Sequence, residues 1–93
     1  MLHLSSNSFE GSISKDIGNA KNLSNLQIGS NRFSGKLPSE IANVGLLSFF
    51  NASNNKFSGC LPTELYGLHN LEVLDLQVNF FSGNISSSIG FLK

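Results

Sequence analysis

The chain has 93 residues, formal net charge +0, 13% charged residues and 40% hydrophobic residues, enough for one small domain. Zero net charge argues against a basic nucleic-acid groove and against a polybasic membrane patch. No apolar run approaches the ~20 residues that span a bilayer, and the single cysteine, Cys60, has no partner for an intrachain disulfide, so cysteine content names no redox compartment.

The opening Met1–Asn7 has neither a basic n-region nor an apolar h-region and does not read as a signal peptide. Leu2, Leu4, Asn7, Phe9, Gly11, Ile13, Ile17 and Ala20 then mark a partial unit, 1–22. The unit 23–46 repeats the pattern with Leu23, Leu26, Ile28, Asn31, Phe33, Gly35, Leu37, Pro38, Ile41 and Val44. The unit 47–70 carries Leu47, Phe50, Ala52, Asn55, Phe57, Gly59, Leu61, Pro62, Leu65 and Leu68. The segment 71–93 opens another with Leu71, Leu74, Leu76, Asn79, Phe81, Gly83, Ile85, Ile89 and Leu92. In the asparagine column, 31 − 7, 55 − 31 and 79 − 55 are each 24, with no insertion. A period of this length predicts a solenoid whose coils bury their insides against one another.

Each column has a physical reason. The alternation Leu26-x-Ile28 is that of a half-buried strand, and equivalent strands stack in parallel, one per coil. The Asn column (Asn7, Asn31, Asn55, Asn79) follows the strand, where its amides take up backbone groups that have left the ladder. The Phe column (Phe9, Phe33, Phe57, Phe81) stacks as a spine. The Gly column (Gly11, Gly35, Gly59, Gly83) supplies positive φ at a bend, and Pro38 and Pro62 stiffen the return arc. Ile41 with Val44, and Leu65 with Leu68, are three apart, the spacing of a helical or 3₁₀ turn facing inward.

These columns resemble the plant-type leucine-rich repeat, with Ser34 to Pro38 and Ser58 to Pro62 as its Ser-Gly-x-Leu-Pro signature. The likeness covers essentially the whole chain. It implies an α/β repeat solenoid, a right-handed coil with parallel strands on the concave face and short helical or 3₁₀ turns on the convex side. It also implies a slice of the ectodomain of a plant receptor-like kinase. Segments 49–59 and 71–76 resemble the branch that perceives secreted peptide hormones. Such a parent lies at the extracellular face of the plasma membrane and signals through a kinase outside this chain. The departures are Ser14 and Ser86 in place of proline, which soften two arcs, and Ala52 in place of a strand leucine, with Phe50 refilling its volume. The family's capping segments, membrane span and kinase are not present in these residues. An uncapped stack exposes core side chains, so the isolated chain is expected to be marginal or to self-associate, and reads as a fragment or truncated product.

No catalytic, cofactor or metal site emerges. The histidines are His3 and His69, and His3 lies three strands, ~14 Å, from Asp75, too far for a dyad. Cys60 falls at a solvent-type position without a nearby histidine. The candidate ligand surface is the strand face, where outward residues form columns: Met1, Asn25, Phe49, Val73; His3, Gln27, Asn51, Asp75; Ser5, Gly29, Ser53, Gln77; Ser6, Ser30, Asn54, Val78; and Ser8, Arg32, Lys56, Phe80. Phe49 with Val73 and Val78 with Phe80 are apolar pairs of the kind that mark contacts. Packing over gaps near Ala52 is the competing account of the two phenylalanines. Arg32 and Lys56, stacked one coil apart at ~5 Å, form a candidate carboxylate clamp, against the plainer account of two solvated charges. The resemblance adds that peptide-hormone receptors of this class often read a peptide carboxylate with Arg-x-Arg. Arg32 is the only arginine here, so the carboxylate pocket is expected elsewhere.

The partners anticipated are a peptide or protein ligand and a co-receptor, with no nucleic acid and no insertion into a membrane. Three sequons occur, at Asn22, Asn51 and Asn84. Asn51 stands in the middle of the strand face, so a glycan there and a ligand across Phe49 and Val73 exclude one another. The leading function is a non-enzymatic binding scaffold. The alternatives are a secreted kinase-free leucine-rich-repeat protein (an enzyme inhibitor or receptor-like immune protein) and a truncated product without function.

Overall fold

The computed structural model describes residues 2–81. Gly83, Asn84, Ser86 and the rest of the final arc lie outside the described residues, as does Met1. Among the described residues eight short strands run in pairs separated by 3₁₀ turns: β1 (Leu2–His3), β2 (Glu10–Gly11), β3 (Asn25–Gln27), β4 (Arg32–Gly35), β5 (Phe49–Asn51), β6 (Lys56–Gly59), β7 (Val73–Asp75) and β8 (Phe80–Phe81). The 3₁₀ turns are Lys15–Asn19, Ser39–Asn43 and Thr63–Gly67.

The first sheet, β1-β3-β5-β7, is parallel and in strict register with the repeat, pairing Leu26 with Phe50 and Phe50 with Leu74. Its inward residues end in the core. Leu26, Ile28, Phe50 and Ala52 are fully buried beside Leu37, Ile41, Val44, Leu47, Phe57 and Leu65. Burying each such large side chain stabilises by roughly 1.5–3 kcal/mol. Phe50 and Ala52 are both at 0% exposure, which fits the exchange of a large side chain for a small one two residues on.

The structure departs from one strand per coil. A second parallel sheet, β2-β4-β6-β8, is built from the Phe-Ser-Gly segments. Those segments leave the first ladder extended, and their backbone groups need partners, which the next coil provides. The second sheet is staggered: Glu10 pairs with Arg32, Ser34 with Lys56 and Ser58 with Phe80, a shift of 22 rather than 24. The asparagines account for the stagger. Asn31, Asn55 and Asn79 Oδ1 accept the N–H groups of Phe9, Phe33 and Phe57 in the preceding coil, at 3.3, 3.1 and 3.0 Å. A side chain thus occupies the acceptor position that a backbone carbonyl would hold, and the backbone ladder resumes only beyond it.

The same asparagines donate Nδ2 to three carbonyls each. For Asn55 these are Ile28 O at 2.9 Å, Ala52 O at 3.2 Å and Ser53 O at 3.1 Å. Among the described residues no buried side-chain polar atom lacks a partner. Inside this ladder the phenylalanines form the spine: successive rings from Phe9 to Phe81 are stacked with centroids 6.3, 6.1 and 6.2 Å apart and interplanar angles of 17°, 13° and 8°. Gly11, Gly35 and Gly59 take φ of 92°, 78° and 75° at the bend, where a Cβ would be strained.

The return arcs close on the convex side. Ile41 and Leu65 point inward from their 3₁₀ turns at 1% exposure, and the N–H groups of Val44 and Leu68 bond back to Ile41 O and Leu65 O. Ser14 keeps the geometry of the prolines, φ −66° against −70° at Pro38 and −65° at Pro62. Its hydroxyl also accepts the Asp16 N–H at 3.1 Å, a cap that proline lacks, so the arc is held rather than softened.

Candidate functional site

The strand face is assembled by register. In the first sheet Asn25, Phe49 and Val73 stand side by side, and so do His3, Gln27, Asn51 and Asp75. From Asn25 onward these side chains are half-buried. Each coil fixes them by short local bonds. Gln27 Nε2 donates to Asn25 Oδ1 at 3.2 Å, tying the two columns together. Asn51 Oδ1 accepts the Ser53 N–H at 2.9 Å and the Ser53 hydroxyl at 2.7 Å. Asp75 accepts the Gln77 N–H at 3.3 Å and Gln77 Nε2 at 3.4 Å. The third strand position therefore caps the start of the turn in two successive coils. The site is a row of pre-positioned polar groups beside the apolar pair Phe49 and Val73.

The next columns behave differently from the expectation. Gly29 is buried and Ser53 is 6% exposed, so their column is covered rather than presented to a ligand, while Gln77 is exposed. A Cβ on Gly29 would meet Asn51 Oδ1 at 3.0 Å and Ser53 O at 3.3 Å, which shows how closely the Asn51–Ser53 turn lies on it. The following column, Ser6, Ser30, Asn54 and Val78, adopts left-handed backbone, with φ of 60°, 57°, 56° and 58°. Sequence reasoning missed this. Ser and Asn at three of the four positions were the available signal, and Val78, a β-branched residue that pays most for such a conformation, concealed it.

Among the described residues Val78 and Phe80 are the most exposed of the large hydrophobics, at 66% and 68%. A recess of about 420 Å³ adjoins Val78, lined in part by Asp75, Gln77 and Phe81. Half-buried Leu74 and Leu76 line it too. A second, of about 240 Å³, is lined by the core-facing Leu2, Leu4, Ile13 and Ile17. Both recesses expose repeat-column residues at the two ends of the described stack.

Arg32 and Lys56 are both exposed. Lys56 is the ladder partner of Ser34, and Arg32 that of Glu10. The two cations thus have different ladder partners, while the phenylalanines that follow them, Phe33 and Phe57, still stack at 6.1 Å in successive coils. Cys60 is free and exposed. Among the described residues no group of three or more His, Cys, Asp or Glu is placed to hold a metal, and no helix is long and apolar enough to cross a membrane.

Parallel strands in staggered pairs, an asparagine ladder and a phenylalanine spine define a leucine-rich-repeat solenoid. The Leucine Rich Repeat family model matches residues 1–20, 22–44, 46–68 and 70–92, and the chain belongs to that family. A search of curated proteins finds no sequence match.

Among solved structures, the chain is similar to the leucine-rich-repeat ectodomain of the Arabidopsis receptor kinase HAESA in complex with an N-terminally extended IDA peptide hormone ligand. The identity is 49% and the TM-score 0.90, over 92% of this chain and 14% of that one. It is also similar to the BIR3–SERK2 complex from Arabidopsis thaliana, at 34% identity and a TM-score of 0.92, over 96% of this chain and 48% of the matched one. A plant ice-binding protein matches at 32% identity and a TM-score of 0.82, over 88% of this chain and 26% of that one. The chain thus spans about half or less of the length of these proteins.

Proposed function

We propose that the chain is a binding segment of a plant receptor-like kinase ectodomain that holds an extended peptide or a partner protein on its first sheet. The observation that carries this reading is the register of Asn25, Phe49 and Val73 beside Gln27, Asn51 and Asp75, each polar member held by a bond within its own coil. A row of fixed hydrogen-bonding groups beside apolar side chains suits an extended main chain lying across the strands, because little side-chain entropy is lost on binding. The candidate contact set is Phe49, Asn51, Val73, Asp75, Gln77, Val78 and Phe80. Arg32 and Lys56, both exposed, complete the set as candidate edge charges.

No enzymatic step is assigned to this segment. Signalling falls to a kinase domain of the parent, whose ectodomain stands outside the plasma membrane, with a co-receptor as a further partner. The similarity to HAESA and to the BIR3–SERK2 complex supports this reading. The likeness to an ice-binding protein favours a second reading, a secreted kinase-free protein using the same coil. The sequence of the full-length transcript separates the two.

The test is selection of peptides from a displayed random library against the chain, followed by binding to variants. Phe49→Ala and Asp75→Ala weaken the selected peptides at least about tenfold, the loss of one good contact of ~1.4 kcal/mol. Leu46→Ser, in the turn ahead of β5 and outside the sheet, leaves binding unchanged. Peptides that lose affinity only with Leu46→Ser overturn the assignment.

A further inference from the structure

We propose that, of the two described sequons, Asn22 carries the N-glycan and Asn51 stays bare, so that the strand face remains open. The proposal rests on the reading of a secreted parent.

The two sites share the Asn-x-Ser pattern and differ in every structural respect. Asn22 lies in the two-residue turn Lys21–Asn22 between the 3₁₀ turn and β3, and both it and Ser24 are exposed. Asn51 ends β5, flanked in register by Gln27 on one side and Asp75 on the other. Its sequon hydroxyl is already bonded: Ser53 Oγ donates to Asn51 Oδ1 at 2.7 Å, and Ser53 is 6% exposed. The transferase has to read that hydroxyl and reach the amide. In the folded coil it finds the first buried and the second between two neighbouring strands. A bulky glycan belongs on a surface loop, and of these two positions only Asn22 is one.

The surroundings of Asn22 point the same way. Leu46, 24 residues on, occupies the equivalent place in the next coil, and among the described residues it is the only large hydrophobic in these turns, at 52% exposure. The apolar face of a first sugar ring on Asn22 has an aliphatic surface to lie against. The chemistry needs a lipid-pyrophosphate-linked oligosaccharide as donor. The amide nitrogen of Asn22 forms a bond to the anomeric carbon, the bond from that carbon to the pyrophosphate oxygen breaks, and the amide gives up one proton.

The test is site-specific occupancy. The full chain is secreted from a eukaryotic host behind a cleavable leader. Glycans are removed enzymatically in heavy-oxygen water, which marks each occupied Asn as a labelled Asp, and the peptides are weighed. Asn22 is occupied, and Asn51 is at least about tenfold less so, as a surface-loop preference requires. Ser24→Ala, on an exposed hydroxyl, abolishes the label at Asn22. Asn55→Ala, which loosens the coil around Asn51, raises the label at Asn51. Equal or greater occupancy at Asn51 in the unaltered chain overturns the proposal, and so does low Asn51 occupancy that Asn55→Ala leaves unchanged. An unlabelled Asn22 in protein from the source tissue, with a labelled Asn22 from the host, refutes the secreted parent and leaves the site selection standing.

Discussion

Asn55→Ala tests whether the asparagine ladder holds the coils together. Asn55 is 7% exposed and makes four hydrogen bonds. Three of its acceptors have a second donor: Ile28 O is shared with Asn31, Ala52 O with Asn79, and Ser53 O takes the Ser30 N–H. The Phe33 N–H is different. It donates to Asn55 Oδ1 and is orphaned by the substitution, which costs ~1–3 kcal/mol for a buried donor. Three weakened carbonyls add on the order of 1 kcal/mol in all, given the ~0.5–1.5 kcal/mol net worth of an ordinary bond. A total near 3 kcal/mol is a large share of the ~5–15 kcal/mol that holds a domain together.

The internal control is Asn7→Ala, in the same column but exposed, with Nδ2 bonds only to Leu4 O and Ser5 O. Its cost is below ~1 kcal/mol, since water replaces both. Urea unfolding of the two variants gives the difference, and amide exchange at Phe33 reports the orphaned donor directly. If the two variants lie within experimental error of each other, or if Phe33 stays as protected in Asn55→Ala as before, the ladder is not the element that joins the coils.

Val78→Asn relieves a β-branched residue at φ 58° and raises stability by ~1 kcal/mol, read as a higher urea midpoint; Asn54→Val moves it the other way. Phe57→Ala removes the centre of the spine, a ring at 0% exposure stacked on Phe33 and Phe81, and costs ~3–5 kcal/mol in the same assay. Gly18→Ala places a Cβ 2.9 Å from Glu40 O and costs ~1–3 kcal/mol, whereas Gly45→Ala, with nothing within 4 Å, changes stability by less than ~0.5 kcal/mol. Ala52→Leu and Phe50→Leu each destabilise, one by crowding and one by a cavity. The double variant recovers at least ~1 kcal/mol of the summed loss, and additive losses would show that the two sites do not share one volume.

The repeat itself was legible in the residues. A period of 24 without insertion fixes which side chains stack on which, because every coil meets a copy of itself. The Asn, Phe and Gly columns each carry a local chemistry that the sequence states outright: an amide where the ladder ends, a ring in the interior, and a residue free to take positive φ. The strand-face columns followed from the same register.

What the sequence did not state was set by partners outside each unit. The second sheet exists because Phe-Ser-Gly backbone groups find acceptors in the next coil, and its two-residue stagger exists because Asn31, Asn55 and Asn79 reach across to the previous one. Neither is a property of a single unit, so neither could be read from one. Burial of Ser53 against an exposed Asn22 was equally invisible, since two sequons of the same Asn-x-Ser pattern are set apart by what surrounds them. Periodicity determined the scaffold, and contacts between coils decided which residues of that scaffold remain free to bind or to be modified.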